Sequence, residues 1–341
     1  MNLPAPASLI PLRILAIAIF CLFCKLPATA ESIPVANSSV MTGTIVIPGI
    51  NFPANGMPGF VESVTIPLKR YGRLFLIEAK VDDEDGNFIF DSGSSQFVLN
   101  STYFRKYMKI EGDEGGGVTG SAGPVSRTRV KKLMVSGLEY DNIMADVLDL
   151  GHIENRRNVK VLGLFGLSLI KDLEIVIDIS HNQLRLYRID KAGNRLNRYE
   201  IIAKADVTQK VQEYHNLCLV DVTIGGKVLN FCLDTAAESD VLSSTSPKKV
   251  MNTVTILRRS GLVGVGHAGA DVLLAQLNDV VIGEHKIPEM QAIITNLDAL
   301  AASYGIAIDG LLGYDFLEKG EVCINLVKKE LRINFRKEDK K

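Results

Sequence analysis

Tryptophan is absent from this 341-residue chain and aromatic side chains make up only 6% of it. That removes the stacking platforms on which proteins hold bases and sugars. Charge bias is missing as well. The formal net charge of -1 leaves no electrostatic footprint for nucleic acid or an anionic membrane, and neither is expected as a partner. The five histidines are scattered without ligand spacing, so no metal and no other cofactor is expected. Cysteine is scarce, and no Cys-x-x-Cys pair is present to suggest metal or redox work. Beyond the first thirty residues no apolar run is long enough to span a bilayer.

What the chain does have begins at its amino end. Arg13 precedes an apolar run from Ile14 to Cys24, and Ala28-Thr29-Ala30 offers small residues before Glu31. This is the pattern of a secretory signal peptide, residues 1–30, cleaved after Ala30. A secreted or periplasmic location is therefore expected. A lipid anchor on Cys24 is the rival reading, and bulky Leu22 and Phe23 argue against it. Removal of the signal leaves Cys218, Cys232 and Cys323. Cys218 and Cys232 flank the Gly225-Gly226 turn of a hairpin, and its register decides whether they face each other. Buried apolar thiols are the safer expectation.

Hydrophobic content of 47% and charged content of 23% fit a soluble globular protein with room for two cores. Residues 31–60, rich in Pro, Gly, Asn and Ser, read as an extended leader. Strand-like alternation starts at Val61 and reaches a turn over Asp82 to Gly86. The first half, residues 61–190, closes on the apolar run Val161 to Leu186. Residues 191–213 are polar and weakly patterned and read as a linker. Residues 214–337 then repeat the order of the first half, and 338–341 form a charged tail.

Two stretches carry the chemistry. Phe88-Ile89-Phe90 runs into Asp91-Ser92-Gly93-Ser94 and leaves through Val98-Leu99; Phe231-Cys232-Leu233 runs into Asp234-Thr235-Ala236-Ala237 and leaves through Val241-Leu242. A bare Asp-Ser-Gly triplet is a common turn. Here each triplet ends an apolar strand, and each half has an apolar-apolar-Gly segment downstream. Gly163-Leu164-Phe165-Gly166 lies over Gly310-Leu311-Leu312-Gly313, and the register runs on to Leu184-Arg185-Leu186 over Leu331-Arg332-Ile333. A repeat of that length implies two lobes of similar fold. Two carboxylates delivered by matching turns are what general acid–base hydrolysis needs.

On these residues the chain resembles the pepsin and retropepsin superfamily of aspartic proteases, in the bilobal, bacterial-type, retropepsin-like form. The resemblance covers roughly residues 61–336. It implies a mostly β fold of two similar lobes about a pseudo-twofold axis, with a short helix after each apolar-apolar-Gly segment. It also implies peptide-bond hydrolysis by a water activated between catalytic Asp91 and Asp234. Ser92, Gly93, Ser94, Thr235, Ala236 and Ala237 would orient that dyad, with Ser92 and Thr235 tying the turns together through their hydroxyls. The partner would be a peptide or protein substrate, and one chain holding both lobes would act as a monomer.

Gly115, Gly116 and Gly117 in the first half and Gly264 and Gly266 in the second are the flap candidates under the same resemblance. Both Gly-rich segments also match G-x-G-x-x-G, but strand-like sequence follows each, and Asp113 and Glu114 would repel a pyrophosphate. Ser168 to Lys171 matches Ser-x-x-Lys, yet the other half has Asp315 at that place, which favours packing. Two features distinguish the halves. Ser94 offers a hydroxyl near Asp91 where Ala237 offers none, so Asp91 is expected to be the ionised base and Asp234 the proton carrier. Ala236 stands where the family has Gly, and its methyl could crowd the substrate. A catalytically inactive peptide-binding protein on the same fold is therefore the alternative.

Overall fold

The computed structural model describes residues 62–108, 110–117, 120–196, 204–264, 269–288 and 290–336. It also describes four short strands nearer the amino end, Leu15–Ala16, Phe20–Leu22, Val46–Ile47 and Ile50–Asn51. The signal peptide and leader otherwise lie outside the described residues, as does the 338–341 tail.

The first lobe grows from a hairpin. Leu74–Val81 and Glu84–Asp91 pair antiparallel, and the second strand is exposed at its acidic start and buried from Phe88 to Asp91. The turn is tighter than the run of acidic residues suggests. It takes only Asp82 and Asp83, because Asp82 adopts a left-handed conformation (φ 50°) that Asp tolerates and its Oδ1 accepts the Lys132 amide at 2.7 Å. Glu84, Asp85 and Gly86 are already strand.

Val161–Gly166 then lies parallel to Glu84–Asp91, with Phe90 beside Phe165 and Asp91 beside Gly166. Its other edge runs antiparallel to Val98–Asn100, which in turn pairs in parallel with Leu138–Leu148. The chain thus threads Val161–Gly166 between the two strands that flank the Asp91 turn. The second lobe repeats this. Lys227–Leu233 is parallel to Gly310–Leu312, which is antiparallel to Val241–Ser243, which is parallel to Met290–Thr295. A short helix follows each apolar-apolar-Gly segment, a 3-10 turn at Leu167–Leu169 and an α-helix at Tyr314–Leu317.

A six-stranded antiparallel sheet joins the lobes, in the order Val207–Tyr214, Glu330–Phe335, Gly320–Asn325, Leu173–Asp178, Gln183–Arg188, Ser63–Pro67. At its centre Ile175 of one lobe faces Ile324 of the other. Val207–Tyr214 corrects the reading of 191–213 as linker throughout: its Val207 and Val211 are buried, and it pairs with Glu330–Phe335 through its first half and with Leu217–Ile224 of the second lobe through its second half. The apolar core is continuous from one lobe to the other through these strands, and smaller clusters sit beneath each Asp turn.

The three described cysteines are buried free thiols. Register places Cys232 opposite Leu219, so Cys218 and Cys232 point to opposite faces, one into the main core and the other into the second-lobe cluster.

Candidate active site

Each aspartate ends a buried strand and is followed by a turn small enough to wrap its own carboxylate. Asp91 Oδ1 accepts the Gly93 amide at 2.9 Å. Asp234 Oδ1 accepts the amides of Ala236 at 2.9 Å and Ala237 at 3.1 Å. Between the turns runs a reciprocal lattice of hydroxyl bonds. Ser92 Oγ donates to the Leu233 carbonyl at 2.8 Å and accepts the Thr235 amide at 2.9 Å. Thr235 Oγ1 donates to the Phe90 carbonyl at 2.7 Å and accepts the Ser92 amide at 2.9 Å. All of these groups are fully buried, so every bond is made in a medium that strengthens it.

The lattice brings the two carboxyl groups within hydrogen-bonding reach of one another. Asp91 Oδ2 and Asp234 Oδ2 are buried and receive no hydrogen bond from a protein donor among the described residues. Burial raises Asp91 from 3.8 to about 7, against the pull of the Gly93 and Ser94 amides. Burial and then the charge of Asp91 push Asp234 further up. Two carboxyls this close cannot both ionise cheaply, so over a wide pH range the pair holds one proton.

Ser94 does not play the part expected of it. Its Oγ donates to the Gln96 carbonyl at 2.9 Å, which closes its own turn. Burial is the largest influence on both carboxyls, the backbone donors to Asp91 are the amides of Gly93 and Ser94, and the Ser94 hydroxyl serves neither carboxyl.

The two turns differ in how tightly they are packed. A Cβ on Gly93 would lie 2.6 Å from Asp234 Cγ. The methyl of Ala236 is instead accommodated: the residue is fully buried in an apolar cluster with Leu76, Val98, Val125, Leu148 and Leu150 of the first lobe. Beneath the turns, a Cβ on Gly166 would meet the Ser94 carbonyl at 2.7 Å, and one on Gly313 the Ala237 and Ser239 carbonyls at 2.6 Å each. Glycine is what lets these corners press against the aspartate turns.

Gly115, Gly116 and Gly117 end the strand Ile110–Gly117, which forms an antiparallel hairpin with Gly120–Val135. Gly264 ends Val254–Gly264, which pairs with Gly269–Leu277. Gly266 and His267 lie outside the described residues. Lys171 donates to Asn216 Oδ1 at 2.9 Å and not to Ser168, so the Ser-x-x-Lys match brings no reactive pair together. Among the described residues no cluster of side chains is suited to hold a metal ion.

Several residues of this site carry no motif. Asp240 is buried, and its Oδ1 accepts the amides of Gly313 at 2.7 Å and Phe316 at 3.2 Å, pinning the second Gly corner. Glu238, in the second turn, is gripped from the first lobe. Arg73 donates to its carbonyl at 2.8 Å and Arg157 pairs with its carboxylate. Tyr304 donates to the Gly93 carbonyl at 2.9 Å.

Two lobes that each thread a strand through an aspartate turn, and present one buried carboxyl apiece at their junction, define the bilobal acid-protease class of fold. A family model described as aspartyl protease matches residues 77–169 and again residues 220–316, more than half of the sequence. The chain belongs to that family. Solved structures similar to it include an aspartic proteinase from Irpex lacteus, at 12% identity and TM-score 0.47, with 80% of this chain and 97% of that one covered. Basic 7S globulin from soybean is also similar, at 8% identity and TM-score 0.46, covering 80% and 96%. No curated protein matches the sequence.

Proposed function

We propose that this chain is an aspartic endopeptidase that hydrolyses peptide bonds with a water activated between Asp91 and Asp234. The observation that carries the reading is the pair of buried carboxyls held together by the Ser92–Thr235 lattice, with their outer oxygens unclaimed by any donor among the described residues. The ionised member draws a proton from the water. The protonated member polarises the scissile carbonyl, and the roles reverse as the leaving amine takes up its proton. No acyl-enzyme forms. The two Gly-rich hairpins supply backbone that can close over an extended peptide.

A catalytically silent peptide-binding protein is the second reading, and Ala236 favours it by placing a methyl where the family has none. Against it, the Ala236 amide still serves Asp234 and its methyl is absorbed by packing. Export rests on the amino-terminal pattern, with cleavage after Ala30 and a secreted or periplasmic monomer as the product. Cleavage of a peptide library by the protein from Glu31 onward decides between the two. Cutting that disappears in both Asp91→Asn and Asp234→Asn supports the enzyme, whereas peptide binding without cutting supports the silent relative.

A further inference from the structure

The two lobes hold each other's aspartate turns through a matched pair of side chains outside the hydroxyl lattice. Each lobe has a short helix before its apolar-apolar-Gly strand, Gly151–Arg157 in the first and Asp298–Tyr304 in the second. Both end on a left-handed residue, Asn158 (φ 51°) and Gly305 (φ 67°). Arg157 and Tyr304 are thus the last helical residues of equivalent elements. One is an arginine and the other a tyrosine, yet each reaches into the opposite lobe.

Tyr304 is buried, and its hydroxyl donates to the carbonyl of Gly93 in the first turn. Arg157 binds the carboxylate of Glu238 in the second turn, and its Nη1 also donates to the Tyr71 carbonyl at 3.1 Å. We propose that Tyr304 and Arg157 are reciprocal positioning residues, each fixing the aspartate turn of the other lobe so that the two carboxyls meet.

Tyr304 has the more direct route to the chemistry. The carbonyl it binds belongs to the peptide unit whose N–H is that of Ser94. That N–H donates to the Asp91 main-chain carbonyl at 3.3 Å, closing the turn, and also faces the Asp91 carboxyl, which it helps to lower. A hydrogen bond to the carbonyl polarises the peptide and strengthens its N–H as a donor. The phenol therefore supports the ionised form of Asp91 through one peptide unit without touching substrate. Among the described residues Asp91 shares its surroundings with Asp234, Cys232 and Tyr304, and of these three Tyr304 is the one that acts on it through the Gly93–Ser94 peptide. The same helix lies beside the Ile110–Gly117 strand of the first hairpin, so it touches turn and flap at once.

Tyr304→Phe removes one oxygen and tests the idea. In the full chain carrying carbon-13 aspartate, the lower apparent pKa of the dyad, identified by its loss in Asp91→Asn, is expected to rise by about half a pH unit. The acid limb of kcat/KM should move up with it, and kcat should fall about tenfold while KM stays within twofold. Tyr107→Phe, which loses a hydroxyl bond to Asp82 in the first hairpin turn, is the control and should move neither. An unmoved lower pKa in folded Tyr304→Phe overturns the proposal. Glu238→Gln weakens the Arg157 side with little change of shape and should lower kcat in the same manner; an unchanged kcat overturns that half. The kinetic arms rest on the endopeptidase reading, but the carboxyl titration does not. A shifted titration in a protein that cuts nothing keeps the positioning role and removes the hydrolase.

Discussion

Gly93 and Ala236 occupy equivalent places in the two turns and are not interchangeable. A methyl on Gly93 would enter the Asp234 carboxyl at 2.6 Å, closer than any real Cβ contact, and the neighbour it meets is held by two backbone amides. Gly93→Ala should therefore abolish detectable cleavage, a loss of at least about a hundredfold in kcat/KM, since misplacement by about 1 Å costs that much. Far-ultraviolet circular dichroism should show the fold retained. Ala236→Gly has the opposite logic. It deletes a buried methyl worth about 0.8 kcal/mol and adds backbone freedom worth about 0.5–1 kcal/mol. Urea unfolding should register a loss of about 1–2 kcal/mol, while the amide donor to Asp234, and with it kcat, is kept.

Strands and helices of this chain differ in how clearly the sequence announces them, and the reason is length. The aspartate strands and Gly corners are legible because they repeat: an apolar run, a small-residue turn and a close-packed glycine occur twice in the same order. The Val207–Tyr214 strand is hidden because one of its faces is wet, so its buried Val207 and Val211 are diluted by Thr, Gln, Lys and Glu. Gly151–Arg157 and Asp298–Tyr304 each have barely two turns, too few for a helical period to emerge. What they carry was equally hidden. Arg157 and Tyr304 act across the lobe boundary, and no spacing along the chain encodes a contact made by tertiary structure. Ser94 shows the converse: a hydroxyl next to the right aspartate was spent on its own turn. At the element scale the sharpest test is the second corner. Gly313→Ala would press a methyl onto two backbone carbonyls at 2.6 Å, neither of which can yield without moving the Asp234 turn. A stability loss of about 3 kcal/mol or more is expected from chemical denaturation.

The whole molecule responds to pH through buried acidic sites of opposite sign, among them Glu174 in the central sheet and the dyad. In the central sheet, burial alone would raise Glu174, but Asn325, Arg195 and Arg332 surround it and bring it below its usual 4.5. Arg195 Nε lies 2.5 Å from Oε1, and Arg332 Nη2 lies 2.6 Å from Oε2. A carboxyl lowered on folding contributes stability above its unfolded value and loses it as pH falls through the folded one. This site ties Leu173–Asp178 of one lobe to the strands of the other, so acid below about pH 4 should loosen the joint between lobes. The dyad works in reverse. Asp91 is raised from 3.8 to about 7 by burial, and Asp234 is raised further by burial and by Asp91. The unfolded chain gives up these protons first, so the native state loses stability as pH climbs from about 4 through neutrality. Urea midpoints of the wild-type protein should therefore be higher at pH 5 than at pH 8. In Asp91→Asn/Asp234→Asn, which cannot ionise at either place, that difference should shrink and the midpoint at pH 8 should exceed the wild-type value, the remainder belonging to groups such as Asp240, which burial also raises. An equal fall from pH 5 to pH 8 in both proteins would mean that the dyad does not hold a shared proton in the native state, and the activation of water between the two carboxyls would lose its physical basis.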